Sequence, residues 1–392
     1  DLGAPQPRNA RPMNTLATPL STDAAAPMRA RAWPQRLPLA AAVLALFGWL
    51  LWSVSARQAL LLLVGVGLGG VLAGARFGFT TGWRVLVEQR DPSGVYGQLL
   101  LLALLSALSM PLLARFPETT AALGPLSVSL LVGAFVFGLC MQIADGCGSG
   151  TLYKAGLGVP LNMAILPLFA LGSFAGSAHL NGWLALGALP PVGLVTSLGA
   201  GGALAATGVA LALLALGVGL WSGQRLHLGR LPRRWLWGAL GLALLAALNL
   251  LIAGQPWGVV YGFGLWAAKA ATALGLFDPA ANAFWSDPGH AERLSQTLLL
   301  DVTSITNIGI LAGALWVSAR RPEPPRPLTS AQWAIGLLAG FAMGYSSRLA
   351  FGCNVGAMVS GISTGSLHGW LWVPVAFMGT LVGVRLRRRL GF

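Results

Sequence analysis

Charge is what this 392-residue chain has least of: Asp, Glu, Lys and Arg together make up 9% of it, against about a quarter of a soluble domain. Acidic side chains are the scarcer kind, 11 against 25 basic ones. Hydrophobic residues supply 55% of the chain and mean hydropathy is +0.71, which excludes an ordinary soluble domain and assigns the chain to a lipid bilayer. Cysteine is nearly absent too. Three cysteines with no C-x-x-C pair exclude a zinc signature and a disulfide framework. Four histidines, His179, His227, His290 and His368, stand in unrelated contexts, so neither a metal cluster nor any cofactor is expected. The formal charge of +14 would suggest nucleic acid in a soluble protein. Here the arginines fall at the ends of apolar runs, where they set membrane orientation, and nucleic acid is excluded as a partner.

What is abundant is apolar sequence in lengths that approach or reach the ~20 residues needed to cross a bilayer as a helix. The fold class expected is an all-α polytopic membrane protein with about ten transmembrane helices, near 39–55, 58–75, 98–114, 128–145, 160–180, 195–221, 235–254, 297–318, 331–347 and 371–386. Residues 1–38, rich in Pro, Ala and Arg without apolar period, read as a disordered leader in which Met13 or Met28 could be a natural start. The run that follows lacks a small-residue cleavage site and is expected to stay as an extra helix within 39–57. With both termini in the cytoplasm, Arg76, Arg84, Arg90, "RLHLGRLPRR", "ARRPEPPR" and "RLRRRL" all fall inside, while the acid-leaning "FDPAANAFWSDPGHAE" falls outside.

An internal repeat organises the rest. "AFVFGLCMQIADGCGSGTL" and "GFAMGYSSRLAFGCNVGAM" align without gaps at an offset of 206, matching Phe135 with Phe341, Gly138 with Gly344, Gly146 with Gly352, Cys147 with Cys353 and Gly150 with Gly356. One inserted residue later, Gly172 and Gly176 match Gly379 and Gly383, a small-xxx-small spacing that lets membrane helices pack closely. A weaker echo precedes each copy, "RFGFTTGWR" and "YGFGLWAAK", with aromatic-Gly-Phe ahead of Arg84 or Lys269. Repeats spanning 58–222 and 235–392 begin an odd number of crossings apart, which predicts inverted topology.

After each Gly-Cys, about fifteen glycine-rich residues are too few for a crossing. They read as re-entrant half-helices, tolerated only where protein or a wet cavity shelters them. Their first free amides, around Gly148 to Gly150 and Asn354 to Gly356, would present the positive end of the helix dipole to an anion. Arg84, Lys269, Lys154 and Arg348 flank these segments as recruiting charges or as plain interfacial anchors. A neutral thiol is a soft, weak S–H donor suited to a sulfur-bearing ligand. Cys147 and Cys353 are therefore the candidate site, while Cys140, whose repeat mate is Ser346, reads as a packing residue and Asp145 as a paired carboxylate.

On these motifs the chain resembles the YeeE/YedE family of bacterial inner-membrane proteins, through "RFGFTTGWR", "GLCMQIADGCGSG", "YGFGLWAAK" and "MGYSSRLAFGCNVG", in that order, and from about residue 58 onward. The resemblance implies an hourglass-like, pseudo-twofold transporter whose cysteine-lined constriction, Cys147 and Cys353 here, passes thiosulfate. It also implies a small cytoplasmic sulfur-carrier protein (TusA-like) as partner, besides the lipid bilayer itself. The chain departs from many relatives in having Gly78 where they carry a cysteine, and Thr303, Ser304 and Thr306 where some carry another. Three functions stay open: uptake of a small sulfur-containing anion, thiosulfate first and selenium or other sulfur species next; a membrane thiol oxidoreductase passing electrons to a quinone; and a passive pore for small neutral solutes.

Overall fold

The computed structural model describes residues 33–224, 231–318 and 327–392. The leader up to residue 32, His227 and most of the two basic runs "RLHLGRLPRR" and "ARRPEPPR" lie outside the described residues. Among those described, the chain is almost wholly helical, and nine stretches are long and apolar enough to cross a membrane. In chain order the long helices are α1 (Trp33–Ser53), α2 (Ala56–Gly74), α4 (Ser93–Arg115), α5 (Val128–Ile143), α7 (Pro160–Leu184), α8 (Leu194–Ser222), α9 (Arg233–Ala253), α12 (Val302–Ser318), α13 (Ser330–Leu349) and α14 (Leu367–Arg389). Each expected helix has its counterpart, α12 being an apolar helix of 17 residues outside the nine crossing stretches. The first begins at Trp33 rather than 39 and carries Pro38 inside it; a proline so near a helix start forgoes only one backbone bond.

Between these lie short pieces that cannot cross alone: α3 (Phe79–Gln89), α6 (Gly148–Gly156), α10 (Val260–Ala273), α11 (Pro288–Ser295) and a π-helix, Asn354–Gly361. At 1.5 Å per residue, even the longest covers about two-thirds of the hydrocarbon thickness. The two half-helices after the Gly-Cys pairs are thus present, the second wound as a π-helix. The aromatic-Gly-Phe echoes open two more, α3 and α10. The reading of the sequence left those two without a helix because their polar and charged residues dilute the apolar pattern. Two-residue strands, β1 (Leu126–Ser127) and β2 (Ala188–Leu189), pair antiparallel across two loops on one face.

The polar ends of the helices are satisfied locally. Ser55 and Ser127 cap α2 and α5 by accepting from Gln58 N and Leu130 N, and Thr329 with Gln332 forms a reciprocal box at the start of α13. Gly254 closes α9 in the left-handed region, and Gly199 at φ +69° interrupts α8.

Glycine sets how closely the long helices approach. On α7 and α13, Gly336 meets Leu161, Gly340 meets Ile165 and Gly344 meets the carbonyl of Phe169, so the two run parallel. Helices α5 and α14 repeat the arrangement. A Cβ on Gly172 would collide with the carbonyl oxygen of Phe341, and one on Gly379 with that of Phe135; a Cβ on Gly176 or Gly383 would lie 2.5 Å from the carbonyl oxygen of Tyr345 or Leu139. These contacts map onto each other under the repeat alignment. Helices α2 and α12 approach the same way, with Gly65 against Thr306 and Gly309 against Leu62. In a bilayer, where lipid tails are as apolar as leucine, such contact is what van der Waals packing can use.

Gly172→Ala and Gly379→Ala are expected to destabilise the protein by similar amounts, about 1–3 kcal/mol each, since each methyl meets a backbone oxygen. Gly208→Ala on α8, with nothing within 4 Å, should melt like the parent. Thermal unfolding in detergent followed by tryptophan fluorescence checks the triplet, and unequal losses at Gly172 and Gly379 would contradict the symmetric packing.

Candidate functional site at the paired glycine-cysteine caps

Both Gly-Cys segments make the same turn because the same short-range backbone bonds recur. Helix α5 ends at Ala144 and α13 at Ala350; the next residues, Asp145 (φ +53°) and Phe351 (φ +56°), are left-handed. Gly146 N then donates to Met141 O at 3.1 Å and Gly352 N to Ser347 O at 2.8 Å. Gly352 sits at φ +148°, where a Cβ would strike Ala357 N, so only glycine fits. Cys147 and Cys353 follow as N-cap residues of α6 and the π-helix, with matching extended backbones. Their carbonyls accept the first helical bonds, Thr151 N to Cys147 O at 2.7 Å and Ala357 N to Cys353 O at 2.8 Å.

The two caps come together. A Cβ on Gly148 would lie 3.2 Å from Cys353 Sγ and 3.4 Å from Val260 Cγ2, so the start of α6, the Cys353 thiol and the start of α10 share one fully buried point. Cys147 Sγ accepts from Gly150 N at 3.4 Å and lies 3.4 Å from Ser149 Oγ. A thiol that accepts from the backbone keeps its own S–H for a further partner. Asn354, the residue opposite Gly148 in the repeat, is fully buried with neither side-chain atom hydrogen-bonded. Leaving such an amide without a partner costs roughly 1–3 kcal/mol, and this one follows directly on the Cys353 cap. Gly150 lies under Cys147 Sγ, and Gly356 is uncrowded.

The basic residues divide between two mouths. On the α6 side Asp145 is held by Arg84 at 2.6 Å, Lys154 at 2.6 Å and Arg387 at 3.6 Å. Three cations around one carboxylate leave a surplus of two positive charges beside the Cys147 cap. Lys269 is elsewhere: its ammonium donates to the carbonyls of Leu294 and Gln296, at 2.5 Å each, and ties down the end of α11. On that second side Arg348 donates from Nε to Ser177 Oγ at 2.7 Å. Cys140 is buried among apolar side chains. Reading the sequence missed Arg387, 242 residues after Asp145 in the chain, and Val260. The echo "YGFG" was the available signal for Val260, which immediately precedes it.

The hairpin over the second mouth holds His290 stacked on Phe284, with ring centroids 4.1 Å apart and Nδ1 3.1 Å from Tyr261 Oη. Burial, reinforced by Arg348, pushes the His290 pKa down to about 4. A base depressed on folding binds its proton in the unfolded segment first, so the hairpin should lose stability as pH falls from about 6.5 to about 4. Amide exchange over 284–290 is expected to rise through that window, and His290→Phe should remove the dependence. At the other mouth, Asp145→Asn is expected to cost about 1–3 kcal/mol, with non-additivity against Arg84→Gln in a double-mutant cycle of melting. Additive losses would mean that the pair is not coupled.

The sulphur-transport family profile matches residues 74–382, which take in both Gly-Cys caps and all four half-helices around them. The thiosulfate transporter TsuA of Spirochaeta thermophila is 28% identical over 282 residues, 67% of this chain and 78% of its own. The probable transporter YedE of Escherichia coli is 27% identical over 137 residues, and that of Salmonella typhimurium 28% over 146, each match covering 34% of this chain and 33% of the relative. With its profile matched across most of its length, this multi-pass membrane chain belongs to the sulphur-transport family.

Proposed function

We propose that the protein is an uptake transporter of the bacterial inner membrane for a small sulfur-containing anion, thiosulfate by preference, and not an enzyme. The observation that carries the reading is the meeting of the two caps: the Cys353 thiol against Gly148, beside the unpartnered amide of Asn354. Cys147 and Cys353 offer S–H groups to the terminal sulfur. The helix starts at Gly148–Ser149 and Asn354–Gly356 offer N–H groups and positive dipole ends to the oxygens, the Gly150 N–H being given to Cys147 Sγ, with Gly146 and Gly352 shaping the turns. Neutral thiols bind weakly, and weak binding is what lets an ion leave as readily as it arrives. That a relative of 28% identity is named a thiosulfate transporter supports the choice of substrate.

The surplus positive charge around Asp145 belongs, on this reading, to the cytoplasmic mouth, with both termini on that side. Arg84 there draws the ion onward, and Lys269 serves only to hold α11. A membrane potential that is negative inside opposes uptake of a dianion by roughly 4.6 kcal/mol per 100 mV, at about 2.3 per charge. Transport therefore needs cytoplasmic consumption, proton co-transport, or delivery of sulfur to a small carrier protein docking at the cytoplasmic mouth.

In cells without other sulfur importers, the intact protein should take up sulfur-labelled thiosulfate, with Cys147→Ala and Cys353→Ala each reducing the rate at least tenfold at equal surface expression. Cys140→Ala should transport like the parent. Normal uptake by both cap variants would remove the thiols from the path, and no uptake by the intact protein would remove thiosulfate.

A further inference from the structure

The two mouths differ in one chemical respect. The three cations at the Asp145 mouth share a single carboxylate. At the other mouth Arg348, on the last turn of α13 and five residues before Cys353, has no ion pair among the described residues. Its repeat mate is Gln142, so the charge belongs to this mouth alone. Its guanidinium carbon lies 5.4 Å from the ring centroids of both Tyr261 and Phe284. Arg293 brings a second guanidinium to 5.2 Å from the Tyr261 ring. Next to Phe284, Trp285 is fully buried and its Nε1 has no partner. The nearby Asp301 accepts from Ser304 N and Oγ at 2.7 Å each and lies within electrostatic reach of Arg293 but not of Arg348.

We propose that Arg348, with Arg293 and the Trp285 indole N–H, forms an anion-docking site for a small tetrahedral dianion on the α11 side of the Cys353 cap. Rings against a guanidinium contact its faces and leave the in-plane N–H groups as the available donors. With Nε given to Ser177, the two Nη groups form a fork that matches two oxygens of such an ion. A buried indole N–H lacking an acceptor supplies a third donor. Phe351, packed against this cluster and against the main core alike, puts the site next to the cap. The donors read oxygen and charge, not sulfur, so sulfate and thiosulfate dock alike here and discrimination falls to the thiols beyond. The site deepens the transport reading and rests on it for its role as first stop, though not for its ability to bind.

The test is equilibrium binding of thiosulfate and of sulfate to the full chain in lipid nanodiscs, by calorimetry, alongside labelled uptake. Arg348→Gln should weaken both anions at least tenfold and Arg348→Lys recover part of the loss. Trp285→Phe, which keeps the ring and deletes the N–H, should weaken both about threefold or more, while Cys140→Ala binds within twofold of the parent. Melting curves identify any variant that fails to fold, and the remaining one then carries the comparison. Parental affinity in Arg348→Gln and Trp285→Phe, or no measurable binding by the intact protein, overturns the site. Anion binding that needs Arg348 in a protein that moves no label overturns the transport reading and leaves the site standing. Uptake that needs both cysteines but is indifferent to Arg348 does the reverse.

Discussion

Inside hydrocarbon a backbone N–H or C=O group has no water to bond with, and a helix that stops partway across exposes several of each. Four helices here stop partway: α3, α6, α10 and the π-helix. They are tolerable only inside a wall of protein. The wall consists of parallel helix pairs, α5 with α14 and α7 with α13, drawn together by glycines whose missing side chains let carbonyl groups touch the neighbouring backbone. Close packing and broken helices are thus one constraint. Without Gly138, Gly172, Gly344 and Gly379 the enclosure would open, and the free amides at Gly148 and Asn354 would have no sheltered place to be free in.

The two copies agree in backbone and differ in chemistry. Left-handed Asp145 and Phe351, the glycines after them and the capping cysteines share the same backbone bonds at the helix ends that hold them, though only Cys147 also caps with its thiol. The side chains carried on that shared frame diverge: Asp145 against Phe351, Gly148 against Asn354, Gln142 against Arg348. Symmetric backbone brings the Cys353 thiol onto the start of the other half-helix, while asymmetric side chains make one mouth a cluster of three cations around one carboxylate and the other an aromatic cage around an arginine. A pathway with a direction needs such a difference, since two identical mouths would hold an anion equally.

Much of this was legible beforehand. Apolar runs marked the long helices because crossing requires length, and length is visible in one dimension. The 206-residue repeat was visible because the same turn demands glycine and the same cap recurs, and it pointed to Cys147 and Cys353. Helices α3 and α10 were not legible as helices, since polar and charged residues along them, among them Arg84, Glu88, Arg90 and Lys269, interrupt any apolar count. Lys269 and Arg84 occupy similar places after the aromatic-Gly-Phe echo, yet one holds the end of a surface helix and the other a carboxylate. Where a long flexible side chain ends is set by what lies within reach.

Membrane residence, the number of long helices, the repeat and the identity of its recurring turn all follow from local pattern: run length, glycine spacing, a cysteine after a glycine. Those patterns reflect requirements each segment meets alone, so they survive in linear form. That the Cys353 thiol rests on Gly148, that Arg387 joins Arg84 and Lys154 at Asp145, and that Arg348 stands between Tyr261 and Phe284 without a carboxylate came from the fold. Each joins segments up to some two hundred residues or more apart, and charge balance at a point in space is a sum over neighbours that the order of residues along a chain does not name.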